Sequence, residues 1–327
     1  QKVPITLIRK KNGGKADSLN AGINAARYPW FICMDADSIL QHDSLEKIVR
    51  PVLEDENVIA VGGSVRPANG VVIKYRLPRN IIARMQSLEY DRSFLAARIL
   101  LDKINANMII SGAFGLFEKK TVIAVGGYDS STMGEDMELV VRLHEFSRMN
   151  RKPYKIDFAQ DAICWSQTPE KLSELGKQRK RWQRGLFQCM WGHRKMLANP
   201  RYGAVGLLSY IYFLFYELLS PFIELFGILT MVLSVMMDML NVKFMLVFLA
   251  YYALYGILLT LTAYFSRIYT IDQRFSFREL ILAITACFFE TTFLRFYLEF
   301  VRVTAFVGYK KNKLNWGKLE RKKMNGI

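Results

Sequence analysis

The sequence predicts an α/β unit, a mostly parallel sheet with helices on both faces, followed by an α-helical transmembrane region. Three observations predict it. Apolar β-type runs, PITLI (4–8), WFICM (30–34), NVIAVGG (57–63) and NMIISGAFGLF (107–117), alternate with the amphipathic stretches ADSLNAGINAAR (16–27) and DMELVVRLHEFSR (136–148). Such alternation lays helices on a largely parallel sheet. After Asn199-Pro200 the composition turns apolar, and two basic clusters, KLSELGKQRKRWQRG (171–185) and YKKNKLNWGKLERKKM (309–324), bracket that region.

The chain has 327 residues, 51% of them hydrophobic, enough for about two domains. It opens on Gln1 without a signal-peptide pattern, so its start is expected upstream. The net charge of +16 sits in the bracketing clusters, as in cationic segments on the cytoplasmic side of a bilayer. No helix-turn-helix or RNA-binding signature accompanies it, so no nucleic-acid partner is expected. The four cysteines, with no CxxC pair, read as reduced and buried. The three histidines form no HExxH set, which argues against a histidine zinc site.

Taken in chain order, KKNGGKADSLNAGINAAR (10–27) comes first. Asn12-Gly13-Gly14 reads as a turn and Ala16 onward as a helix. Lys15 at that helix start attracts phosphate or another anion, unless the stretch is a plain turn capped by Asp17 or Ser18. WFICM then ends in Asp35-Ala36-Asp37. Strand alternation points both acids the same way, at a strand end where α/β sheets bind ligands. Two such carboxylates need a cation, and Mg²⁺ or Mn²⁺ bound with substrate phosphates meets that need. An Asp-rich turn capped by Asp37 or Ser38 is the alternative.

Gly134-Glu135-Asp136 opens the helix MELVVRLHEF. Acids suit a helix N-terminus; a base role requires Asp136 to reach a substrate hydroxyl. In QRKRW, Gln178, Arg181 and Trp182 share a helix face, with Arg181 for phosphate and Trp182 as a flat stacking surface. An amphipathic interfacial helix explains the same pattern.

The apolar half divides in three. Residues 203–237 are interrupted by Glu217, Ser220-Pro221 and Glu224. The run FMLVFLAYYALYGILLTLTAYF (244–265) spans about 33 Å as a helix, against a hydrocarbon core of about 30 Å. Residues 280–307 carry Glu290, Arg295, Glu299 and Arg302, the last three on one face. Keeping both basic clusters on one side requires an even number of crossings. Two spans are therefore expected, the first kinked at Pro221, with the last segment a hairpin or an interfacial helix.

In order, GGKADSLNAG, DADS, SGAFGLF, VGGYD, GED and QRKRW resemble a family 2 glycosyltransferase. More closely, they resemble the membrane-embedded processive type, the cellulose, chitin, hyaluronan and poly-N-acetylglucosamine synthase group. The resemblance covers most of residues 5–200. It implies a GT-A-like, Rossmann-like fold. It also implies inverting transfer from a UDP-sugar to a growing β-linked exopolysaccharide, coupled to export. The alternative is a non-processive enzyme adding one sugar to a lipid acceptor. The intact acids disfavour a degenerate scaffold.

The resemblance makes Asp136 the general base and Asp37 the ligand of Mg²⁺ or Mn²⁺. Lys15, Asp35 and Glu135 hold the nucleotide sugar. Gln178, Arg181 and Trp182 hold the acceptor sugar and leaving diphosphate, and residues 111–117 wall the acceptor end. Residues 1–170 then form a cytosolic catalytic domain lacking its N-terminal strands, which predicts no activity for this piece alone. Residues 171–202 form interfacial helices, 203–308 the transmembrane region and 309–327 a basic cytosolic tail. The implied setting is the plasma (inner) membrane, multi-pass, with an accessory export subunit. Glu217, Glu224 and Glu290 either line the polymer path or are satisfied by neighbouring helices.

Overall fold

Aromatic and β-branched runs form the strands, and helices with one apolar stripe cover them. The computed structural model describes residues 3–69, 77–271 and 276–309. The order is α1 (Gly14–Ala25), β1 (Trp30–Met34), β2 (Ile39–Leu40), α2 (Ser44–Glu54), β3 (Val58–Pro67), α3 (Ile81–Arg92) and α4 (Arg98–Lys103). Next come β4 (Phe114–Glu118), α5 (Lys119–Ala124), α6 (Glu135–Met149), β5 (Lys155–Ser166) and α7 (Leu172–Gly192). The apolar half holds α8 (Tyr210–Tyr212), α9 (Ser220–Met236), α10 (Val242–Ile271), α11 (Phe277–Phe289) and α12 (Arg295–Val303).

The expected mostly parallel, Rossmann-like sheet is not what forms. The strand order is β1-β4-β3-β5-β2, and only β3 and β5 pair in parallel. β4 is antiparallel to both β1 and β3, and β2 is antiparallel to β5. The helix-linked strands β1, β3 and β5 do run the same way. β4 returns between the first two, and β2 runs back along the outer edge of β5. Alternation with helices sets the direction of strands joined by crossovers; it carries no information about a return strand that slots between them.

Three local expectations also change. PITLI lies outside the sheet, with Ile5 93% and Leu7 76% exposed. NMIISGAFGLF is not one strand, because a turn from Ser111 C=O to Phe114 N–H (3.1 Å) delays β4 until Phe114. β5 has no clean apolar run to announce it, since Asp157, Gln160 and Asp161 interrupt it.

Helices cover both sheet faces. Ile23 of α1 and Leu139, Val140 and Leu143 of α6 share one buried cluster with Ala60, Phe117 and Ile156. On the other face Ile48 of α2 packs with Val61, Leu116 and Cys164. A third cluster joins the two halves of the chain: Met85 and Leu88 of α3 and Leu175 of α7 meet Tyr264, Ala283, Ala286 and Leu298 of the apolar helices.

Val242–Ser266 and Phe277–Phe306 are each long and apolar enough to cross a membrane. Val205–Leu218 and Ser220–Met236 meet at a 46° bend and count as a third span if taken together. Pro221 stands in the first turn of α9, where a missing N–H costs least. The last segment is not a hairpin: a π turn, Glu290–Leu294, joins α11 to α12 in one run. Residues 310–327 of the basic tail lie outside the described residues.

Candidate active site

The site begins with a glycine turn. The Gly14 N–H donates to Asn12 Oδ1 (3.0 Å), and Gly14 has φ +91°, a conformation that favours glycine. That turn launches α1 with Lys15 facing the end of β1. Lys15 Nζ lies 2.7 Å from Asp35 Oδ1 and 3.5 Å from Glu135 Oε1, and donates to the Gly112 carbonyl at 3.3 Å. Burial pulls against its charge, yet Asp35, Glu135 and Asp136 hold its pKa above the ordinary lysine value. Neither Asp17 nor Ser18 caps α1, since Asp17 pairs with Lys10 and the Ser18 hydroxyl donates to the Gly14 carbonyl.

Glu135 and Asp136 open α6, where the helix N-terminus favours negative charge. Asp136 Oδ2 accepts from the Gly112 N–H (3.1 Å) and Oδ1 from the Met137 N–H (2.9 Å). Gly112 therefore touches both Lys15 and Asp136. A Cβ there would stand 2.8 Å from Lys15 Nζ. Burial, with the Asp136 carboxylate beside it, pushes Glu135 up to about 7, against the pull of Lys15.

α7 brings the third group. It crosses the start of α6 at two glycines: a Cβ on Gly185 would stand 2.7 Å from the Gly134 backbone nitrogen. Gln188 Oε1 accepts from the Met133 N–H (2.8 Å) and the Thr132 hydroxyl (3.1 Å), holding the preceding loop to α7. Trp182 is braced by Arg179, whose Cζ is 4.5 Å from its ring centroid, and by Tyr90 at 6.5 Å between centroids. Arg179 is in turn held by both Glu89 oxygens (2.8 and 2.6 Å). Trp182 itself stays 41% exposed. Gln178 Oε1 is buried without a hydrogen-bond partner.

All eight residues expected from the sequence, Lys15, Asp35, Asp37, Glu135, Asp136, Gln178, Arg181 and Trp182, line one cavity of about 1510 Å³. Of residues 111–117, Ser111, Gly112 and Ala113 line it, and the rest lie in and beside β4. The cavity continues between the apolar helices past Thr262, Glu290 and Arg302. The acids in that stretch are held by arginines: Glu290 by Arg92, Glu224 by Arg295, and Glu217 (3.6 Å) and Glu299 (3.2 Å) by Arg302.

Among the described residues no three His, Cys, Asp or Glu side chains gather as a ligand set. Asp35 and Asp37 offer two hard carboxylates at one side of the cavity. This donor set fits Mg²⁺ or Mn²⁺ completed by phosphate oxygens and water, not an all-protein cage. Sequence reasoning missed Glu89, Arg179 and the Gly134–Gly185 crossing, and named Gly112 only as part of the 111–117 wall. Arg179 left a signal, as the second residue of QRKRW.

Residues 1–185 match the family described as "Glycosyltransferase like family 2". The chain is 32% identical over 190 residues to the "Poly-beta-1,6-N-acetyl-D-glucosamine synthase" of Staphylococcus aureus (strain COL). It is 30% identical over 188 residues to the protein of the same name from Staphylococcus epidermidis. Each match covers 58% of this chain and 41% of the relative, so the chain spans well under half of their length. A solved mannosyltransferase from Pyrobaculum calidifontis, in complex with GDP-Man and Mn2+, has a similar fold, with a TM-score of 0.54 at 19% identity. That match covers 82% of this chain and 68% of the other.

Proposed function

This chain belongs to the glycosyltransferase-like family 2, and we propose that it moves a sugar from a UDP-sugar onto a growing β-linked polysaccharide, inverting the anomeric carbon. One observation carries the reading: the eight residues converge on a single cavity that runs on between apolar helices.

Asp136 takes the proton of the acceptor hydroxyl. Its carboxylate is held by the Gly112 and Met137 amides, so its direction is set before the acceptor arrives. A positioned base contributes about 10²–10⁴-fold. Negative charge grows on the leaving diphosphate as the sugar–phosphate bond breaks, and Lys15 and Arg181 oppose it. Mg²⁺ or Mn²⁺, when bound at Asp35 and Asp37, supplies Lewis-acid stabilisation of that same charge. Trp182 presents its open face to the acceptor sugar, and Gln178 Oε1 accepts from one of its hydroxyls. The continuation of the cavity is the polymer's way out, lined by ion pairs and not by bare carboxylates.

In this reading residues 1–170 are the cytosolic catalytic domain and 171–202 the interfacial helices of a plasma-membrane protein. Residues 203–308 cross the membrane and 309–327 are a cytosolic tail. The test is incubation of membranes containing the protein with radiolabelled UDP-sugars, UDP-N-acetylglucosamine first. The expected product is a polymer. A labelled lipid carrying one sugar would replace the reading with single transfer to lipid, and no transfer from any donor would remove it.

A further inference from the structure

Arg98 is the cavity cation that neither the sequence motifs nor the mechanism above uses. It opens α4 directly after a π turn, Ser93–Ala97. Such turns recur at functional sites because they re-aim the side chains that follow. Its guanidinium carbon lies over the buried Phe94 ring, 3.9 Å from the centroid. It lines the cavity shared by Asp136 and Trp182. Its Nη1 is buried and has no hydrogen-bond partner, and Arg98 forms no ion pair among the described residues. Burial lowers its pKa to about 10, although Asp136, Tyr90 and Glu217 pull the other way.

A buried guanidinium donor without an acceptor is costly; Arg66 and Arg179 also leave a buried Nε without one, but each pairs its charge with an acid. Arg66 pairs with Asp91 at 3.0 Å, and Arg179 with Glu89. Arg98 has acids close enough to act on its charge, yet bonds to none of them. A donor held this way is short of one acceptor, and an oxygen of what enters the cavity can supply it. Asp136 and Glu217 both act on the charge of Arg98, and two acids this near disfavour a diphosphate in this corner. An uncharged sugar, rich in hydroxyl and carbonyl oxygens, meets no such repulsion.

We propose that Arg98 is an acceptor-binding residue, whose free Nη1 donates to an oxygen of the terminal sugar of the growing glycan while Asp136 faces its reacting hydroxyl. The inference rests on the sugar-transfer reading, but it makes a binding prediction that does not need turnover. Phe94 backs the guanidinium, and the π turn sets where Arg98 leaves the helix.

The experiment titrates the protein in detergent with two probes, the tetrasaccharides of β-linked N-acetylglucosamine and β-linked glucose, and separately with UDP. Wild type should bind at least one tetrasaccharide. Arg98→Gln should weaken that binding about 10-fold or more, the worth of one hydrogen bond to a charged group, with UDP affinity unchanged. Arg98→Lys, which keeps the charge without the planar fork, should recover part of the loss. Equal tetrasaccharide binding by wild type and Arg98→Gln would overturn the proposal. So would a parallel loss of UDP binding, which marks a structural role, or a wild type that binds neither tetrasaccharide. Absence of sugar transfer in the membrane assay is a separate readout and removes the functional reading alone.

Discussion

Lys15 is a single ammonium placed among acids from two other parts of the chain. It neutralises Asp35 and Glu135 directly and fixes the Gly112 loop that in turn holds Asp136. Two predictions follow from this corner. Asp136→Asn should cut transfer by about 10²–10⁴-fold and leave UDP affinity unchanged; retained turnover with lost UDP binding would refute the base role. Glu135 carries a pKa raised from 4.5 to about 7, so the folded state holds its proton longer than the unfolded state does. Its contribution is fully present below the unfolded pKa and is lost as pH rises through about 7. Glu135→Gln should therefore gain melting temperature relative to wild type as pH rises across that window. A difference that does not change with pH would sink the idea. The motif residues were legible because each sits in a short, chemically biased string. Glu89 and Arg98 were not, and Gly112 was named only within the 111–117 wall, since their meaning comes from partners distant in the chain.

At the scale of elements, the crossing of α6 and α7 decides the geometry between Asp136 and Trp182. The two helices touch at Gly134 and Gly185 with no room for a methyl group, because the atoms in the way are backbone. Gly185→Ala should cost about 1–3 kcal/mol, as overpacking does. It should also lower transfer more than UDP binding, because α7 carries Gln178, Arg181 and Trp182, the residues proposed to hold the acceptor. Unchanged melting and unchanged turnover together would show the contact to be slack. The helices α1 and α6 were readable from amphipathic stretches, and β1 from WFICM. The place of β4 was not, because Phe114–Glu118 earns its position from residues far away on both sides, Trp30–Met34 and Ala60–Gly62.

Over the whole molecule, α3 ties the sheet-bearing half to the apolar helices. Arg92 donates to Glu290 at 2.6 Å and to the Thr260 hydroxyl at 2.8 Å, joining α3 to α10 and to the π turn after α11. Removing it with Arg92→Ala should cost about 1.5–3 kcal/mol, the range for hydrogen bonds to charged groups. The same change in a Glu290→Ala background should cost much less; equal costs in a double-mutant cycle would mean the tie carries nothing. The sequence left Glu217, Glu224 and Glu290 open, either lining a polymer path or satisfied by neighbouring helices. Sequence spacing places Glu290, Arg295, Glu299 and Arg302 on a helix, but Arg92 and Glu224, the partners of Glu290 and Arg295, come from elsewhere.

By itself, the sequence determined which charged and aromatic residues line the cavity and the existence of long apolar helices. Both follow from residue type over short windows: acids, lysine and arginine at fixed offsets, and unbroken apolarity of span length. Tertiary structure alone decided the mixed sheet, the glycine contacts that set distances in the site, and the arginines that hold the apolar region's acids. Each of these depends on pairings between distant segments, whose free energy comes from mutual burial and complementary charge. No local pattern encodes which distant partner will supply them.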